Sequence, residues 1–192
     1  MPSYTIFAGV NGAGKTSIYK SIYYDENKYE KRINTDEMVA RLGSWEDKNL
    51  QIQCGKEAVK LIKEYISKGI SFNQETTLCG KSISRNIIKA KEQGFYITMN
   101  YIGVETPEIA EDRVKHRVEN GGHGIPSDTI NRRYYESIKN LKEIIAVCNE
   151  INIYDNTEIF KEVAFFSDGK LIWKELNTPK WFKEVLEKYE EN

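Results

Sequence analysis
Eight consecutive residues, Gly9-Val10-Asn11-Gly12-Ala13-Gly14-Lys15-Thr16, fit the pattern GxxxxGK[ST] and follow the apolar run Tyr4-Thr5-Ile6-Phe7-Ala8. The pattern describes a phosphate cradle. Glycines let successive backbone N–H groups curl around phosphate oxygens, and the loop feeds a helix N-terminus that carries partial positive charge. Lys15 is placed to reach the β- and γ-phosphates of a nucleotide, and the Thr16 hydroxyl to hold Mg²⁺. The nucleotide-contacting set is then Gly9, Asn11, Gly12, Ala13, Gly14, Lys15, Thr16 and Ser17. The plain alternative, a glycine turn that binds nothing, is weakened by the preceding strand.

Two acidic residues follow predicted strands. Asp36 can accept or orient the proton of a hydroxyl attacking a γ-phosphate, or it can simply cap the helix that begins near Glu37. Glu75, beside Thr76 and Thr77, can hold a substrate hydroxyl or a magnesium-bound water, or it can cap a turn. Arg113 and Arg117 share one helix face and lead into Gly121-Gly122-His123-Gly124-Ile125-Pro126, and Arg132 and Arg133 lie beyond that loop. Phosphoryl transfer spreads negative charge over the equatorial oxygens, so guanidinium groups around a hinged lid suit that chemistry. Ordinary surface ion pairing is the alternative for each arginine. His116 and His123 lack the clustered partners of a metal site, although His123 in the lid is placed to touch substrate. Asp155-Asn156-Thr157 reads as a base-binding loop rather than a Walker B element, and the absence of NKxD favours ATP over GTP.

The elements that must position these groups alternate. Strands are expected at 4–8, 31–34, 70–75, 95–102 and 151–154, and helices over 17–24, 46–68, 82–93 and from Pro107 to about Val118. Ser44 with Asp47 resembles a capping box, and Thr106-Pro107 a helix start. Tyr134, Ile138, Leu141, Ile145 and Cys148 form a further helical stripe. Asp168-Gly169 predicts a two-residue hairpin, and Thr178-Pro179 opens a last helix. The pattern implies an α/β fold: a mostly parallel sheet of about five strands wrapped by helices, a lid at about 117–133, and a C-terminal hairpin plus helix at about 160–190 as an appendage. It reads as one domain over 1–192, with the site at the carboxyl ends of the strands.

Composition narrows the partners. With 28 basic and 29 acidic residues, the chain offers no global field for nucleic acid or an anionic membrane. Cys54, Cys79 and Cys148 are odd in number and widely spaced, which argues against disulfides or zinc and for a reducing cytoplasm. Neither a signal peptide nor a membrane-spanning stretch is expected.

At the P-loop, Asn34-Thr35-Asp36, Asn73-Gln74-Glu75-Thr76-Thr77, the segment from Arg117 through the lid to Arg132-Arg133-Tyr134, and Tyr154-Asp155-Asn156, the chain resembles the zeta toxin family of P-loop kinases. Its best-known members phosphorylate UDP-N-acetylglucosamine. The resemblance covers nearly all of the chain to about residue 157, is to a shorter, zeta-like branch, and implies a P-loop kinase-type three-layer fold. It implies phosphate and Mg²⁺ roles for Lys15 and Thr16, and a catalytic carboxylate at Asp36. It further implies a substrate-side acid at Glu75, and arginines at Arg117 and either Arg132 or Arg133 that clamp the transferred phosphate. Asn156 joins the nucleotide-binding residues. ATP and Mg²⁺ are the implied cofactors, a small hydroxylated molecule the substrate, and an antitoxin protein a partner. The sequence departs from the longer toxins in starting its first strand at about residue 4, without their preceding helix, and in its glycine-rich lid. The leading expectation is a small-molecule kinase. The rivals are a nucleotide-dependent ATPase or switch without a phosphoryl acceptor, a polynucleotide 5′-hydroxyl kinase, which the balanced charge does not support, and a noncatalytic module.

Overall fold
The apolar run at 4–8 is buried at every position, as expected of a strand covered on both faces. In the computed structural model, which describes residues 1–27 and 30–190, it is β1 (Ser3–Ala8) at the heart of the sheet. Five strands are parallel, in the order β2 (Lys31–Ile33), β3 (Phe72–Thr76), β1, β4 (Tyr96–Gly103), β5 (Glu150–Asp155). The chain from β1 goes out to β2 and returns through β3, whereas β4 and β5 lie on the other flank of β1. That reversal opens a crevice at the carboxyl ends of β1 and β3, where open α/β sheets bind ligands.

The hairpin is not an appendage. β6 (Lys161–Ser167) pairs antiparallel with β5, and β7 (Lys170–Lys174) pairs with β6, so the sheet has seven strands. The physical reason is the open edge of β5, whose ladder groups need partners. Val163, Ala164 and Phe166 meanwhile bury their side chains in the core. Asp168 and Gly169 take φ of 44° and 77°, the two left-handed residues that a tight hairpin turn requires.

Around the sheet run α1 (Lys15–Ile18), a π-helical turn over Tyr19–Tyr23, α2 (Tyr24–Asn27), α3 (Thr35–Leu42), α4 (Lys48–Lys68), α5 (Lys81–Glu92), α6 (Pro107–Glu119), α7 (Ser127–Ile144) and α8 (Lys180–Glu190). The first helix thus starts at Lys15, directly out of the P-loop. The helix expected from residue 46 is capped by Asp47, whose Oδ1 accepts from Asn49 and Leu50 N–H at 2.9 and 3.2 Å, while the Ser44 hydroxyl accepts from the Glu46 N–H. Cys54, Ala58, Ile62 and Ile66 form the buried stripe of α4. Helix α7 stops at Ile144, so Ile145 and Cys148 of the expected stripe are buried in the turn beyond it. Trp181, Phe182 and Leu186 pack α8 onto its own chain. The three cysteines are free thiols, and no described helix is long and apolar enough to cross a membrane.

Candidate active site
The P-loop is held open by close backbone approaches. A Cβ at Gly9 would lie 2.2 Å from the Ile102 carbonyl oxygen, one at Gly12 2.3 Å from that of Ala110, and one at Gly14 2.5 Å from the Asn156 amide nitrogen. All three glycines have positive φ, so both the conformation and the space demand glycine. Asn156 donates to the Ala13 carbonyl at 2.8 Å, which ties the loop after β5 to the phosphate cradle. Ser17 sits exposed on the first turn of α1.

Lys15 is buried, and its Nζ donates to the Val10 carbonyl at 3.0 Å. Burial lowers its ammonium below the ordinary lysine range; Glu75 and Asp36 push it up, and Arg117 and Arg133 push it down. Two carboxylates and two guanidiniums thus act on one buried ammonium. Thr16 Oγ1 donates to Glu75 Oε1 at 2.8 Å. The other Glu75 oxygen accepts from Arg32 Nη2 and Asn34 Nδ2, both at 2.8 Å. Arg32 is in turn fixed by Asn73, by Glu37 and by the Tyr19 ring 3.4 Å below its guanidinium.

Asn34, not Asp36, caps α3. Its Oδ1 accepts from the Asp36 and Glu37 N–H groups at 2.9 and 3.3 Å, which leaves the Asp36 side chain free to face the cleft. Burial raises the Asp36 carboxyl, but His123, Lys15 and Arg117 outweigh burial and hold it below the usual carboxylate range.

The four arginines separate. Arg133 Nη1 donates to Asn11 Oδ1 at 2.8 Å, so it reaches from α7 to the P-loop. Arg117 holds the His123 carbonyl with Nε and Nη2 at 3.1 and 2.8 Å. Arg132 does not join them: its neighbouring position on α7 turns it outward, where it is 63% exposed and pairs with Glu136 at 2.9 Å. Arg113 faces the other flank, donating to the Thr157 carbonyl at 3.0 Å. His116 pairs with Glu119 on the surface. Asp155 spends one oxygen on the Trp181 indole and the Thr157 hydroxyl at 2.8 and 2.7 Å, a fastening of α8 rather than a metal ligand.

Beyond Asp36 opens a cavity of about 640 Å³, lined on the polar side by Asn34, Gln51, Gln74 and Asn86 and on the apolar side by residues such as Val39 and Ile125. Thr76 also lines it. Sequence reasoning missed Gln51, Asn86, Arg32 and Trp45, none of which carries a motif, and gave no role to Gln74 although it lies within Asn73-Gln74-Glu75-Thr76-Thr77. It also passed over Gly55, which a signal could have found: a glycine inside a helix costs about 1 kcal/mol against alanine and asks for a reason. Gly55 lines the cavity, and a Cβ there would meet nothing within 4 Å. Gly55→Ala is therefore expected to raise unfolding stability by about 1 kcal/mol, or roughly 2–4 °C in Tm, by calorimetry.

A family model, "Zeta toxin", matches residues 1–164. The chain belongs to the zeta toxin family. A Haemophilus influenzae relative, described as an uncharacterized protein, is 34% identical over 128 residues, which is 67% of this chain and 89% of the relative. Among solved structures, a chain of the AvrRxo1-ORF1:AvrRxo1-ORF2 complex with ATP superposes with a TM-score of 0.72 at 17% identity, covering 98% of this chain. This zeta toxin family member spans 63% of that longer chain. A chain from the PezAT toxin–antitoxin system of Streptococcus pneumoniae gives 0.64 at 20% identity, over 100% of this chain and 85% of that one. These likenesses show the P-loop kinase-type fold. Family and fold together support a P-loop kinase-type, nucleotide-dependent enzyme.

Proposed function
We propose that this zeta toxin family member is an ATP- and Mg²⁺-dependent kinase that transfers the γ-phosphate to a hydroxyl of a small molecule, with UDP-N-acetylglucosamine or a related sugar nucleotide as acceptor. The observation that carries the reading is that the Lys15 ammonium, the Asp36 carboxylate and Arg133, which is bonded to the P-loop through Asn11, line one cavity, with the Arg117 charge acting on both Lys15 and Asp36. A pure ATPase or switch would have no use for that cavity.

The division of labour follows from position. Lys15 and the P-loop amides grip the triphosphate tail, and Asp36 accepts the proton from the acceptor hydroxyl as it attacks phosphorus. Arg133 and Arg117 lie where they can neutralise charge that grows on the transferred group. The Thr16 hydroxyl and the Glu75 carboxylate are hard oxygen donors, a set that suits Mg²⁺ completed by phosphate oxygens and water. Bound there, Mg²⁺ would polarise the phosphates. Thr76 and His123 stand on the acceptor side. The structural likeness to the AvrRxo1-ORF1:-ORF2 complex with ATP and to the PezAT toxin–antitoxin system supports ATP as the nucleotide and an antitoxin as a partner.

Incubation with ATP, Mg²⁺ and UDP-N-acetylglucosamine should yield a sugar nucleotide heavier by one phosphate in mass spectrometry. Transfer to another hydroxylated metabolite alone would change the acceptor. ADP formation that no acceptor alters would reject the kinase reading in favour of an ATPase.

A further inference from the structure
The lid reaches Asp36 through His123. His123, in the loop 120–126 between α6 and α7, stacks its ring on Trp45 of the α3–α4 connection, with centroids 3.8 Å apart and planes within 13°. Its Nε2 lies 3.3 Å from Asp36 Oδ2. That nitrogen is shielded from solvent yet off the line of an aligned hydrogen bond, so its donor capacity is still open. Arg117 grips the same residue by its main-chain carbonyl. The grip relies on Gly122, where a Cβ would lie 2.6 Å from Arg117 Cγ and 2.9 Å from the Arg117 carbonyl oxygen.

Three separate elements therefore converge on His123: the α3–α4 corner through Trp45, α3 through Asp36, and α6 through Arg117. Trp45 and the lid residues Gly124, Ile125 and Pro126 also line the acceptor cavity, so the stack is part of the wall that an entering acceptor must pass.

We propose, resting on the kinase reading above, that Trp45 and His123 form a latch that closes the lid over Asp36, with His123 as a positioning residue for the Asp36 carboxylate. Trp45 is the fixed half, presenting a flat apolar face on a helical corner. His123 is the moving half: stacking sets its ring plane, and Nε2 then holds one carboxylate oxygen, leaving the other for the acceptor hydroxyl. The latch parts to admit the acceptor and re-forms over it, which excludes water from the reacting phosphate. Arg117 couples the latch to the phosphate end of the cleft, because the same guanidinium that holds the His123 carbonyl acts on Lys15 and Asp36.

The test reads the latch without turnover. In the full-length protein, Trp45 emission is isolated from that of Trp173 and Trp181 by subtracting the Trp45→Phe spectrum. A stacked imidazole quenches indole emission, so His123→Ala should brighten Trp45 at least twofold; equal emission would overturn the stack. The second readout is ¹³C-carboxyl NMR of Asp36, whose facing charged groups are His123 from the lid, Lys15 from α1 and Arg117 from α6. Loss of His123 removes one of three positive neighbours, so the Asp36 titration midpoint should move to higher pH in His123→Ala. An unmoved midpoint would overturn the positioning role. Trp45→Phe, which keeps a flat ring, should leave the midpoint near that of the wild type, whereas Trp45→Ala should shift it. With ATP and UDP-N-acetylglucosamine as probes, His123→Ala and Trp45→Ala should lower kcat by about 10- to 100-fold at an unchanged KM for ATP. A protein that transfers phosphate normally while both spectroscopic contrasts are absent would sink the latch alone. A wild-type protein that transfers none, with both contrasts present, would sink the kinase reading alone.

Discussion

Asp36→Asn is expected to lower phosphoryl transfer by about 10²- to 10⁴-fold while ATP affinity, followed by calorimetry, stays within a few-fold. The substitution keeps shape and removes only the proton acceptor. The cradle that grips the phosphates is built from Gly9, Gly12, Gly14 and Lys15, and its internal bonds run to Val10, Asn156 and Arg133, not to Asp36. The same carboxylate sets the acid limb of the rate profile. A general base works when deprotonated, so activity is full above its pKa and falls as pH drops through it. Because His123, Lys15 and Arg117 hold Asp36 below the usual carboxylate range against the opposing effect of burial, that fall should lie at lower pH than for an ordinary aspartate. Retained turnover in the asparagine variant would refute the assignment.

A second large effect separates two adjacent arginines. Arg133→Ala should reduce kcat by about 10³- to 10⁵-fold, the range of an arginine that neutralises charge on a transferred phosphoryl group. Arg132→Ala should leave kcat within about twofold, since removing an exposed arginine ion pair costs at most roughly 1 kcal/mol of stability. The contrast rests on direction. Arg133 points to Asn11 of the P-loop and Arg132 to Glu136 on the surface. Single-turnover transfer with saturating ATP measures both, and equal losses would show that the P-loop contact of Arg133 has no bearing on chemistry.

Much of this site was legible before any coordinates. The P-loop pattern located the phosphate cradle, and the strand-ends placed Asp36 and Glu75 at the same edge of a parallel sheet, because each βα unit returns its carboxyl end to one side. What the linear pattern left open was partnership. Asp36 and Asn34 are both good cap residues, and only the geometry gives the cap to Asn34. Glu75 read as a holder of a substrate hydroxyl or a magnesium-bound water, or as a turn cap, with the resemblance implying a substrate-side acid; only the geometry shows that it accepts from the Thr16 hydroxyl. Trp45 had no signal at all, because its importance comes from a histidine far along the chain. The hairpin was found but misplaced as an appendage, since a turn signal fixes two strands to each other and says nothing of which sheet edge receives them.

The sequence by itself determined the local decisions: the glycine-bearing cradle, the alternation of strands and helices, the two-residue hairpin turn, and the chemistry available at Lys15, Asp36 and the lid arginines. These follow from short-range sterics and periodicity, which neighbouring residues settle among themselves. Only the tertiary structure decided the long-range ones: which of Arg132 and Arg133 reaches the P-loop, that His123 lies against both Asp36 and Trp45, and that Gly55 lines the cavity beside Asp36. Such choices depend on how separate elements pack, and the packing of distant segments is fixed by the whole core at once rather than by any stretch of chain.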